Sequence, residues 1–250
     1  MTDVLRGVSD GVGRITLNRP DQLNAITGDL ARELERSILG IAADANVILI
    51  RGAGGNFCAG GDVDEVRRLR SSGAEALRGL FTAFRRACDA IARVDVPVVV
   101  AVDGVAMAGG FELMQAADIV LVSDDARIAD QHIKFGMIPG GGSTQRLPRM
   151  VGRQTALGLL LSGDKLSGLE AVRLGLAYKS FPRDDFDDGV EQFVTALAAR
   201  QRDAVVAIKR LVRAGLEESP AAGLDHEIDA VVAHIGVDDL AAFGKLGARG

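Results

Sequence analysis

VPVVVAVDGVAMAGGFELMQAADIVLVSD, residues 96–124, reads in turn as strand, helix and strand. The run VPVVVAVDG (96–104) is apolar without alternation and ends on a glycine, the pattern of a buried strand. GGFELMQAAD follows and predicts a helix that starts at the double glycine Gly109–Gly110 and covers about 110–117. IVLVSD (119–124) is a further short apolar run, a second strand.

The same order extends to both sides. GVGRITLNRP (11–20) alternates apolar and polar residues at Val12, Ile15 and Leu17 and stops at a proline, as a strand does. TGDLARELERSILGIA follows as a helix: Thr27 is the N-cap, Asp29 sits in the first turn, and Leu30, Leu34, Ile38 and Ile41 hold helical spacing. NVILIRGAGG (46–55) predicts a buried strand ended by glycines, and Ala74 to Val94 a long amphipathic helix. Its apolar face carries Leu77, Leu80, Phe81, Phe84, Cys88 and Ile91. Alternating strands and helices place the chain in the α/β class, as layers. After about residue 185 the strand patterns stop. Residues 186–216, 220–235 and 238–246 read as helical, with Pro220 as a break. The expected organisation is a core over 1–185 and a helical C-terminal region over 186–250, without internal repeats.

Composition narrows the function classes. Of 250 residues, 48% are apolar and 25% charged, which suits a globular core. The net charge of −5 and the 4% aromatic content argue against a nucleic-acid surface. Two cysteines, Cys58 and Cys88, form neither a disulfide framework nor a metal spacing. No apolar run reaches transmembrane length, so a cytoplasmic protein without membrane contact is expected. No G-K-[ST] follows a glycine loop and no dinucleotide glycine spacing occurs, which removes the P-loop and dehydrogenase readings.

Four stretches stand out. In CAGGDVDE (58–65), small residues stand between a strand and a helix. Bare backbone there suits a tight turn, or N–H groups left open to a polarised oxygen at a helix N-terminus. Glu112 stands in the first turn of the helix at 110–117 among Phe111, Leu113 and Met114. It is either an exposed first-turn glutamate or a buried carboxyl raised toward a general acid/base value. DQHIKFGMIPGGGSTQRLPR (130–149) carries His132, one of three histidines, and a flexible glycine turn at 140–142 before a helix. Arg146 and Arg149 read as a solvated face. The tail DDLAAFGKLGARG (238–250) reads as a docking helix or a frayed end.

ITLNRPDQLNAI, FCAGGDVDE, PVVVAVDGVAMAGGFELMQAADI, FGMIPGGGSTQRLPR and LSGDKLSGLEAVRLGLAYKSF, in this order, resemble the crotonase superfamily, the enoyl-CoA hydratase/isomerase family. The likeness spans about residues 4–245. It implies a superhelix of ββα turns with a helical C-terminal region used in trimer assembly, and a homotrimer or a hexamer made of two trimers. It also implies acyl-CoA thioester substrates, with CoA arriving as part of the substrate and neither a further cofactor nor a metal. The implied chemistry runs through an enolate. Hydration of a 2-enoyl-CoA (a lyase reaction) or enoyl-CoA isomerisation leads. Thioester hydrolysis, decarboxylation or silent acyl-CoA binding are the other uses of such a pocket.

By motif match, the resemblance assigns the backbone N–H groups of Gly61 and Gly109 to the thioester oxygen. It assigns the loop Ala59, Gly60, Gly61, Asp62, Val63 and Asp64, with the segment from Leu23 to Ala25, to the CoA path. Hydratases of the family use two glutamates. Glu112 matches the first; the second falls twenty residues later, where this chain has His132, and the usual FG-x-P-E reads IADQH (128–132). A histidine there can act as an acid/base near neutral pH, donate to substrate, or fill the space. The tail also departs from the family, whose final helix ends in a more basic run than FGKLGARG.

Overall fold

A computed structural model gives the structure of the protein over residues 2–237. The helix read over 238–246 and the tail segment 238–250 lie outside the described residues. Strands β1 (Val4–Ser9) and β2 (Val12–Leu17) form an antiparallel hairpin. Asp10 (φ 52°) and Gly11 (φ 73°) close it, an Asp-Gly turn whose two positive φ angles match the twist of the flanking strands. The sequence pattern does not mark β1, because only Val4 of its six residues is buried.

Helix α1 (Gly28–Ile41) starts as predicted, with the Thr27 hydroxyl accepting from the Leu30 amide at 3.1 Å. Then follow β3 (Val47–Gly52), α2 (Val63–Ser71), α3 (Ala74–Arg93), β4 (Val98–Val102), β5 (Val105–Met107), α4 (Gly109–Ala116), β6 (Ile119–Ser123) and β7 (Arg127–Ala129). A 3-10 turn over His132–Phe135 leads to α5 (Ser143–Val151), α6 (Arg153–Ser162), α7 (Gly168–Arg173), β8 (Lys179–Phe181) and α8 (Phe186–Ala198). The main sheet has the order β1-β2-β3-β4-β6-β8, with every pair parallel after the first.

A thin second layer runs beside it. Ile26 bridges Gly61, Cys58 bridges Ala106, β5 pairs with β7, and Ile128 bridges Leu166. Each coil of the chain therefore lays one segment in the main sheet and one in the second layer before a helix carries it onward. This is the expected spiral of ββα turns. The strands of the second layer are three residues long or single bridges, too short for a hydrophobic period to register.

One face of the main sheet is covered by α8, where Phe186, Val190, Val194 and Ala198 pack on Val12, Val47, Leu49, Val99, Ala101 and Leu121. By the two-residue strand period, Ile48 and Ile50 point to the opposite face, and both are fully buried. The sequence reading grouped α8 with the C-terminal region. Its packing on the sheet puts it in the first of two compact units, Met1–Ala199; the second begins at Arg200. Within that second unit, α9 (Arg202–Gly215) packs on α10 (Pro220–Val237). Pro220 opens α10 at its first position, where a missing N–H is harmless. Both helices expose apolar side chains at helical spacing: Ile208 and Val212 on α9, continued by its C-cap Leu216, and Leu224, Ile228 and Ile235 on α10. Among the described residues no helix is long and apolar enough to cross a membrane.

Candidate active site

Two glycine turns meet at the second layer. Gly60 has φ +106°, and a Cβ there would stand 2.9 Å from Ala108 Cβ and 3.3 Å from Gly109 N. A Cβ on Gly110 would stand 2.2 Å from the Cys58 carbonyl oxygen. The bare backbone thus answers both readings of CAGGDVDE: the turn needs a positive φ, and a second main chain lies against it. Ala108 is held at φ 46°, ψ −113°, a conformation that costs about 1–3 kcal/mol for a residue with a Cβ.

The amides in these turns are left open. The Ile26–Gly61 bridge is closed by Ile26 N on Gly60 O (2.7 Å) and by Asp62 N on Ile26 O (2.9 Å), so the N–H of Gly61 takes no part. Gly109 is the first residue of α4, where an amide has no intrahelical acceptor. Among the described residues, neither amide donates to an acceptor in the chain. Gly61 N lies 3.6 Å from where a Cβ on Gly109 would sit. Two such donors beside a helix N-terminus suit one oxygen that gains negative charge.

Glu112 is buried, 2% exposed, on a helix buried on all sides. Its Oε1 accepts from the amides of Gly141 (2.7 Å) and Ser143 (3.1 Å). Burial pushes its carboxyl above the ordinary 4.5; His132 and the two amides pull against that shift without cancelling it. The glycine turn, read from the sequence as flexible, is therefore pinned at its amides. It is pinned at a carbonyl too: Arg146 Nη1 donates to Gly141 O at 2.6 Å and Nη2 pairs with Asp89 at 3.4 Å. Arg146 is thus not the solvated side chain that its position beside Arg149 suggested.

His132 is brought to the same place from the 3-10 turn after β7, with its side chain 11% exposed. Its Nδ1 lies 2.7 Å from Asp130 Oδ1, and its Nε2 lies 3.8 Å from Glu112 Oε2. Burial alone would lower the imidazole. The Asp130 hydrogen bond, with the charges of Asp130 and Glu112, outweighs it and holds His132 above its ordinary 6.5. Two acid/base groups from separate elements therefore face each other.

The segment assigned to the CoA path is built around Asn24. Its side chain accepts from Arg19 N (2.9 Å) and donates to Ala53 O (2.9 Å) and Asn56 O (2.7 Å), which locks two loops together. Leu23 is half exposed at φ 49°, and its carbonyl receives the amide of Ala59 at 2.9 Å; Ala25 is buried. Arg19 joins Ala25 O to Asp62, with a 2.9 Å ion pair. Asp62 also caps α2 through the amide of Glu65 at 3.0 Å. Burial would raise its carboxyl, but that amide and Arg19 hold it below its usual value. Val63 and Asp64 face outward, Asp64 pairing with Arg67 at 3.2 Å. A cavity of about 360 Å3, lined in part by Phe81 and Gly140, adjoins the turn that holds Glu112.

Sequence reasoning gave no site role to Arg19, Arg146 or Asp130, and included Asn24 only within the Leu23 to Ala25 segment. Asn24 and Arg19 stood inside the quoted NRPDQLNA, Arg146 inside GGGSTQR, and Asp130 two residues before His132. Only the Asp-x-His spacing was a usable local signal.

Residues 7–243 match the family model described as enoyl-CoA hydratase/isomerase. A Mycobacterium leprae protein named as a probable enoyl-CoA hydratase is 35% identical over 219 residues, covering 86% of this chain and 83% of that protein. The crystal structure of an enoyl-CoA hydratase from Bacillus anthracis superposes with a TM-score of 0.90 at 28% identity, over 97% of this chain and 96% of that one. A Thermobifida fusca structure in complex with acetoacetyl-CoA superposes at 0.85 with 27% identity, over 94% and 95%.

Proposed function

The chain belongs to the enoyl-CoA hydratase/isomerase family, and on that premise we propose that it adds water across the double bond of a 2-enoyl-CoA thioester. The amides of Gly61 and Gly109 bind the thioester oxygen. Charge on that oxygen grows as the enolate forms, so fixed donors bind the transition state better than the ground state. Loss of one such donor in other enzymes costs about 2.7–4 kcal/mol. Glu112 takes a proton from water as the oxygen attacks the β-carbon, and His132 delivers a proton to the α-carbon. The proton left on Glu112 then returns to His132, and the site is reset.

The observation that carries this reading is the 3.8 Å approach of His132 Nε2 to Glu112 Oε2 beside two open amides. Hydration uses two acid/base groups. Double-bond isomerisation needs one, which would be Glu112. The acetoacetyl-CoA bound to the Thermobifida fusca protein supports the acyl-CoA class. The exposed apolar rows on α9 and α10 support self-association; the trimer, or hexamer of two trimers, that the family resemblance implies would be read by light scattering as three or six copies.

The test follows the enone absorbance of crotonyl-CoA. Loss of absorbance with accumulation of the 3-hydroxyacyl product supports hydration. A double-bond shift on a 3-enoyl-CoA without hydration assigns the isomerase. Binding without turnover of either assigns a silent acyl-CoA binder.

A further inference from the structure

Asp130 follows β7 directly and is 1% exposed. Its Oδ1 receives two groups of the same residue: Nδ1 of His132 at 2.7 Å and the His132 backbone amide at 3.2 Å. Its Oδ2 is buried and has no hydrogen-bond partner among the described residues. Bonding the amide alone calls for no charge; an asparagine side chain accepts from a backbone N–H two residues on equally well. A buried carboxylate is an expensive way to do that, since a charge taken out of bulk water needs a partner to offset the cost. What the carboxylate adds is full negative charge against the imidazole.

We propose that Asp130 is the positioning residue of this site: through Nδ1 it fixes the ring plane and the tautomer of His132, so that Nε2 alone is turned toward Glu112 and the substrate. With the Nδ1 proton held by Asp130, Nε2 is a lone pair in the neutral ring and an N–H in the cation. The ring has two charged neighbours, Asp130 from its own segment and Glu112 from α4. Cys88 of α3 lies near Glu112, and burial pushes its thiol up to about 12, so it is uncharged at neutral pH. The inference rests on the hydration reading for its kinetic arm, and on the protein alone for its spectroscopic arm.

The chain has three histidines, His132, His226 and His234, so imidazole NMR of the labelled full-length protein is tractable. The His132 signal is identified by its loss in His132→Ala and titrated in wild type and Asp130→Asn. The expected result is an Nδ1–H tautomer in the wild type, and in the variant a titration moved to lower pH with the tautomer mixed. In crotonyl-CoA turnover, the pH limb that His132→Ala abolishes moves the same way, with kcat falling roughly tenfold or more. Asp130→Ser, which keeps an acceptor for the backbone amide, serves if Asp130→Asn does not fold. Unchanged titration, tautomer and pH limb would overturn the proposal and leave Asp130 as a backbone cap. Absence of turnover in the wild type defeats the hydration reading, while the NMR arm still decides the role of Asp130.

Discussion

Arg146 Nη1 donates to the carbonyl of Gly141 at 2.6 Å, while the amide of that same glycine donates to Glu112 Oε1 at 2.7 Å. One residue is thus held on both flanking peptides, and the carboxylate inherits its position from an arginine that does not touch it.

Arg146→Ala should therefore lower kcat by about 10–100-fold, the scale expected for a misplacement near 1 Å, with a smaller change in KM. Arg146→Lys should not rescue it, because an ammonium does not offer the fork that spans Gly141 O and Asp89. Steady-state kinetics on crotonyl-CoA check both, and a Lys variant at wild-type rate would remove the clamp.

Glu112→Gln should separate activity from stability. The amide oxygen can still accept from Gly141 and Ser143, and the variant no longer keeps an ionisable carboxyl in the interior. Activity should drop by about 10²–10⁴-fold. The thermal midpoint should hold or rise at neutral pH. A variant both inactive and strongly destabilised would mean that the charge of the carboxylate, set against His132, holds the fold together there.

Stability should fall as pH rises, beginning above 4.5 for Glu112 and above 6.5 for His132. Glu112 and His132 both have folded pKa values raised above their ordinary 4.5 and 6.5, so the folded state binds more protons than the unfolded chain. Their favourable contribution is full below those ordinary values and is lost as pH climbs through the raised ones. Glu112→Gln and His132→Ala should each flatten that slope. Denaturant unfolding at a series of pH values measures it, and a slope unchanged in both variants would contradict the assignment.

Gly60 and Gly61 should respond oppositely to alanine. Among the described residues a Cβ on Gly61 meets only Val66 Cγ2, at 3.9 Å, so Gly61→Ala should fold and keep its amide and its activity. At Gly60 the φ of +106° and the 2.9 Å approach to Ala108 Cβ make the same change strained and crowded. Gly60→Ala should cost about 1–3 kcal/mol and distort the amide pair. Thermal unfolding and turnover of both variants check this.

Much of the molecule can be read locally. The α/β class, the Thr27 cap, α1, α3 and the strands at 47–52, 98–102 and 119–123 follow from hydrophobic period and cap chemistry, which operate within a few residues. β1, β5, β7 and β8 escaped because an exposed edge strand, or one of three residues, leaves no period to detect. The positions of Gly61, Gly109, Glu112 and His132 were marked by motif, but motif alone left Glu112 open between solvent and interior.

Burial and partnership came from folding in three dimensions. Gly61 and Gly109 are 48 residues apart, Glu112 and Gly141 are 29 apart, and each pairing is made by the coils of the ββα spiral. Whether a carboxyl is desolvated, and which amides and cations surround it, depends on residues remote in the chain. Local pattern could therefore announce the acid/base candidates, while the raised carboxyl of Glu112, the Asp130 hold on His132 and the Arg146 clamp exist only once distant segments pack and exclude water.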